Sequence, residues 1–142
     1  MPPTETTHRG RLIRSTWITR LAVREDRDTI FVYGDNMEGR GLGGQAREMR
    51  GEPNTIGVPT KWAPERRASA YFTDDDSLNR DVRHAIWEAF DRMRAALDAG
   101  RNVVIPADGI GTGLAELPTR APKLHAMIES AIAELEKNYV AT

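Results

Sequence analysis

The chain has 142 residues, the size of one ordinary domain, and its formal net charge of −1 with 29% charged residues sets up no global field that would hold a polyanion. It contains no cysteine, which excludes disulfides, a thiolate nucleophile and a cysteine-ligated metal site. No stretch approaches the ~20 apolar residues that span a bilayer and no signal-peptide pattern opens the chain, so no membrane association and a cytoplasmic setting are expected.

Residues 1–10 are polar and aperiodic and predict a flexible N-terminal tail, followed by a single domain over 11–142. Leu12 and Ile13 suggest a short strand, and Ile18, Leu21 and Ala22 a short helix. The run TIFVYG at 29–34 is continuously apolar and rich in β-branched and aromatic types, as in a central strand of a parallel sheet covered on both faces. Two shorter runs, TIGV at 55–58 and NVVI at 102–105, have the same character, and each is expected to stop at a proline, Pro59 and Pro106. Between them lies the clearest helix. It opens near Asp76 or Ser77 and carries Leu78, Val82, Ala85, Ile86, Ala89, Phe90, Met93 and Leu97 on one stripe before Gly100 closes it. A last helix follows Pro118 to Pro122, with Leu124, Met127, Ile128, Ala131, Ile132 and Leu135 facing the sheet. Strands alternating with helices predict a three-layer α/β domain with a mostly parallel, mixed sheet and right-handed crossovers.

The chemistry concentrates in the segments that leave the strands. GDNMEGRGLGGQA at 34–46 holds five glycines in thirteen positions, which suits close backbone approach to a ligand, and residues 45–49 read as a helix whose N-terminus would face an anion. A flexible surface connection is the alternative. The spacing fits neither a P-loop, which needs Gly-Lys-Ser/Thr, nor the dinucleotide fingerprint. PADGIGTGL at 106–114 is a second glycine-rich loop directly after a strand, and loops leaving two parallel strands at their carboxyl ends can meet over one crevice. A tight turn that needs glycine only for its geometry would look the same.

The candidate ligand-binding residues are therefore Asn36, Gly43, Gly44, Gln45, Gly109, Gly111, Thr112 and Gly113. Arg50, Lys61 and Trp62 flank the third strand; Lys61 could neutralise a phosphate and Trp62 could stack on a base, against the plainer roles of dipole complement for Arg50 and surface packing for Trp62. Asp35 and Asp108 are the candidate catalytic carboxylates, able to orient a ribose hydroxyl or activate a water, and equally able to form turns on their own backbone. The run Asp74, Asp75, Asp76 reads as helix capping rather than a metal site. His8, His84 and His125 have no partners at ligand spacing, so neither metal nor cofactor is expected. No serine sits on a nucleophile elbow, which argues against acyl transfer.

The pattern FVYGDNM, GGQA, MRGEPN, GVPTK and PADGIGTGL, over residues 29–135, resembles an uncharacterised family of bacterial and bacteriophage proteins. More distantly, a polar glycine loop leading through Gly-Gly to a helix, with a late Gly-x-Gly loop after a strand, is similar to macrodomains, which bind ADP-ribose. That resemblance implies a macrodomain-like fold. It sets Asp35 and Asn36 toward the adenine or a ribose, Gly43 and Gly44 by the distal ribose, and Gly111, Thr112 and Gly113 around the diphosphate. The usual asparagine-rich signature is reduced to Asn36, which favours binding over removal of ADP-ribose. The expected partner is thus an ADP-ribose-like nucleotide, with its hydrolysis as an added activity. The alternative is a phage or bacterial protein-interaction module whose partner is another protein. Acidic and basic residues interleave throughout, as in REDRD at 24–28, which argues against a nucleic-acid partner.

Overall fold

The computed structural model describes residues 9–139. Residues 1–8, including His8 and most of the expected tail, lie outside the described residues. Arg9 and Gly10 are held in place: Gly10 N–H donates to the Leu97 carbonyl at 2.8 Å, and the Arg9 guanidinium lies 4.5 Å above the Tyr139 ring.

Four strands, β1 (Leu12–Ser15), β2 (Ile30–Asn36), β3 (Thr55–Lys61) and β4 (Val103–Pro106), form a sheet in the order β1-β4-β2-β3. Every pairing between these strands is parallel, so the mixed sheet expected from the sequence is an all-parallel four-stranded one among the described residues. Each successive strand is reached through a crossover, and the antiparallel pairing present is an isolated bridge from Lys61, at the end of β3, to Tyr71. Among the described residues, five α-helices accompany the sheet: α1 (Arg20–Glu25), α2 (Ala46–Met49), α3 (Arg80–Asp98), α4 (Leu117–Arg120) and α5 (Pro122–Asn138).

The continuous apolar run of β2 is explained by burial on both faces. Ile30 and Val32 point into one core with Ile56, Val58, Val103 and Ile105, covered by α3 and α5. Phe31 and Tyr33 point the other way, into a smaller core with Ile18, Val23, Ala46, Met49 and Val104, beneath α1 and α2. In α1 the buried residue is Val23, and Leu21 faces solvent.

Three element boundaries depart from the sequence reading, the first being that β2 runs on past Gly34 through Asp35 to Asn36, which pair with β3. β3 runs through Pro59 to Lys61, because β3 lies at the edge of the sheet, where a missing N–H removes no bond to a further strand. The long helix begins at Arg80, not near Asp76: Asn79 is its cap, accepting from Val82 N–H at 3.0 Å, and Leu78 lies outside it and exposed. The acidic run forms a separate 3₁₀ turn, Asp74–Leu78, in which Asp76 closes a capping box with Thr73. Asp74 instead accepts from the Lys123 N–H at 2.9 Å, capping the start of α5.

A charged clasp ties α1 to the β2–β3 side. The Glu52 carboxylate is buried and takes Arg20, Arg24 and Arg27 as ion-pair partners, at 2.5, 2.9 and 2.9 Å. Hydrogen bonds from these guanidinium groups, Arg20 first, pull its pKa down to about 2 from an ordinary 4.5. A depressed carboxylate pKa stabilises the fold above the unfolded value and loses that contribution as pH falls through the folded one. Acid unfolding followed by circular dichroism is therefore expected to show stability declining between pH 4.5 and about 2, and Glu52→Gln is expected to flatten the decline in that window. An unchanged acid profile in Glu52→Gln would remove the clasp as its cause.

Candidate functional site

The site arises where the chain reverses its direction across the sheet. β2 leads through α2 on one face, whereas β4 leads through α4 to α5 on the other. Their carboxyl ends are neighbours, so the loops that leave them part to opposite faces and open a crevice between them. A cavity of about 500 Å³ occupies this crevice, bounded by the β1–α1 segment, the two glycine-rich loops and the end of β3.

Of the candidates named from sequence, Asp35, Asn36, Gly43, Gly44, Gln45, Arg50, Lys61, Asp108, Gly109, Gly111, Thr112 and Gly113 all line this one cavity. Trp62 does not: it packs edge-on against Phe72, ring centroids 5.3 Å apart, at the margin of the larger core.

Several of the lining side chains are occupied in holding the walls. The Arg50 guanidinium forms a two-pronged pair with Asp35, at 2.5 and 3.3 Å, and donates to the Gly41 carbonyl at 2.7 Å. It also lies 5.6 Å from the Tyr33 ring centroid. Asp35 Oδ1 additionally accepts the Asn36 N–H at 2.8 Å. Room for the Asp35 side chain comes from Gly57 on the neighbouring strand, where a Cβ would come within 2.7 Å of Oδ2. Asn36 closes a turn, its amide donating to the Arg40 carbonyl at 2.7 Å and accepting from Glu38 N–H at 3.0 Å. The Gln45 amide grips both backbone groups of Ile18, at 2.7 and 2.8 Å, and so fixes the β1–α1 segment against the first loop.

The N-terminal helix dipole expected at residues 45–49 is absent in substance, since α2 is a single four-residue turn without a side-chain cap. Donors are supplied by the loops themselves. Among the described residues, no protein acceptor takes the backbone N–H of residues 40–46 or of residues 110–115. Both stretches border the cavity. The second loop is shaped by left-handed Gly109 and Gly111, at φ +94° and +84°, and is tied at its base by Leu117 N–H to the Gly111 carbonyl, 2.9 Å. Exposed Thr112 and Asp108 make no side-chain hydrogen bond to the described residues, in contrast to Asp35.

Lys61 is buried at the end of β3, its Nζ donating to the Glu65 carbonyl at 2.8 Å and lying 4.3 Å from the Tyr71 ring centroid. Burial holds its pKa below the ordinary lysine value. Trp17, which no sequence pattern marks, is half exposed and also lines the cavity, from the segment that follows the outer strand β1. A lone aromatic between a short strand and a short helix carries no local signal of this position; only the strand order brings it there. Among the described residues, no group of three or more His, Asp or Glu side chains is disposed to hold a metal ion, and no helix is long and apolar enough to cross a membrane.

These features define a parallel α/β domain with a cleft between two glycine-rich loops at the carboxyl ends of its strands. The chain belongs to the family of unknown function DUF7831, whose sequence pattern matches residues 13–131. No curated protein and no solved structure matches it.

Proposed function

We propose that the cleft binds ADP-ribose or a related phosphate-bearing nucleotide, in the manner of a macrodomain-like module. The observation that carries this reading is the pair of N–H runs, residues 40–46 and 110–115, left without protein acceptors on two loops that border one cavity. Backbone N–H groups in glycine-shaped turns form concave donor arrays that suit phosphate oxygens, and they discriminate against cations. A cavity of about 500 Å³ lies within the range of sites for small ligands. The resemblance to macrodomains adds the order of the two loops along the chain. Asp108 is the carboxylate available to a bound ribose hydroxyl or an attacking water, because its oxygens are not engaged by the described residues, while Asp35 is held by Arg50.

Thr112→Val tests the reading with least disturbance, since it removes an exposed hydroxyl donor and keeps the side-chain shape. Titration calorimetry with ADP-ribose is expected to show affinity lower by about 1.5–3 kcal/mol, the range for a hydrogen bond to a charged group, with an unchanged melting curve. Unaltered affinity in the folded variant would take the second loop out of the phosphate site.

A second reading has its own observation: Trp17 and Leu114, which line the cleft, are exposed, and so is Leu42 in the first glycine-rich loop, as on a surface that docks another protein. The wild-type melting temperature separates the two. Nucleotide at ~100 times its dissociation constant adds about 2.7 kcal/mol of stability, and a pure docking module gains none.

A further inference from the structure

The strand order distributes different chemistry along the cleft. β1 and β3 are the outer strands, with β4 and β2 between them, so the Trp17 and Lys61 ends are three strand spacings apart, about 14 Å. The glycine-rich loops leave the two inner strands and border the middle of that span.

At the β1 end, Trp17 is 51% exposed and lines the cavity, with the Arg47 guanidinium 6.0 Å from its ring centroid and, among the described residues, no aromatic ring stacked on it. At the β3 end, Lys61 is only 7% exposed, yet it forms no salt bridge among the described residues. Its ammonium has a single carbonyl acceptor and the face of Tyr71, which attracts a cation without neutralising it. The Arg120 guanidinium, 3.8 Å from the same ring centroid, adds to the positive field. The carboxylates of Glu65 and Glu116 favour the charged form, but neither is an ion-pair partner of Lys61 among the described residues, and a buried ammonium without one is expensive. Lys61 is one of the residues that line the cavity.

We infer that the ligand is an elongated nucleotide with two separate anionic parts: its base lies on Trp17, its phosphates lie between the glycine loops, and a second acidic group, a phosphate or carboxylate at its far end, meets Lys61. This deepens the nucleotide reading of the cleft and rests on it. A ligand that ends in a neutral sugar leaves Lys61 without a direct ion-pair partner, so the preferred ligand class is the one with a charged terminus.

A matched pair of probes makes the test. ADP-ribose ends in a neutral reducing sugar, and its aldonate, in which that terminal carbon is oxidised to a carboxylate, keeps the same base and diphosphate. Titration calorimetry on wild-type protein is expected to show the aldonate binding about ten- to a hundredfold tighter, the range for a charge-assisted hydrogen bond. Lys61→Met should abolish that preference and Lys61→Arg should keep most of it, melting curves confirming that both are folded. Trp17→Ala should weaken both probes by the same factor, about tenfold, as loss of a stacked base does. Equal affinity for the two probes in the wild type, or a preference that survives Lys61→Met, overturns the inference while leaving the nucleotide reading intact. Failure of both probes to bind wild-type protein overturns the two together.

Discussion

Arg50→Met is expected to lower the unfolding free energy by about 3 kcal/mol and to abolish ligand binding with it. Removing one partner of a buried ion pair costs about 3–5 kcal/mol, because the other charge is left uncompensated. The lower end applies, since the Arg50 and Asp35 side chains keep 19% and 14% of their exposure. The stranded group is Asp35, and the carbonyl of Gly41 loses its Nε–H donor at the same time. The first glycine loop then has no anchor to β2 from this side, so its N–H groups are no longer held in one arrangement. Arg50→Lys should recover little, because an ammonium cannot reach the two carboxylate oxygens and the Gly41 carbonyl with the fork of a guanidinium. Urea unfolding with titration on the same samples checks both parts. A variant with wild-type stability would show the pair to be energetically neutral. Asp35→Ala strands Arg50 in turn, so binding and stability should fall together in that variant too.

Gly111→Val is the second large effect, and it is expected to destabilise the fold by about 3 kcal/mol or more. At φ +84° a β-branched residue is strained, at about 1–3 kcal/mol. The new Cβ would lie 2.9 Å from Leu117 Cδ2 and 3.1 Å from Thr60 Cγ2, adding an overpacking term of about 1–3 kcal/mol. The collision is with the inner wall of the loop, so lost binding in this variant would report a misplaced loop rather than a blocked phosphate. Gly113 is the informative contrast. It has no left-handed backbone and nothing within 4 Å of a Cβ position, so Gly113→Ala should melt with the wild type. Its affinity for ADP-ribose then reads the ligand's approach to the loop alone. A marked drop in the melting temperature of Gly113→Ala would mean that the loop packs more tightly than this geometry allows.

The sequence by itself determined the elements and the existence of two glycine-rich loops after strands. Those are short-range properties: an unbroken apolar run such as 29–34 needs cover on both faces, and apolar residues three and four apart, as from Val82 to Leu97 and Leu124 to Leu135, make a single helical stripe. Tertiary structure alone decided which side chains share the cleft. The insertion of β4 between β1 and β2 follows no local pattern, yet it sets both loops side by side and carries Trp17 to one end of the cavity. Likewise, Trp62 follows Lys61 directly but packs on Phe72, and Arg50 finds Asp35 fifteen residues away. Local periodicity reports which face of an element must be buried; it says nothing of the partner across the sheet, because that pairing is settled by the packing of the whole chain.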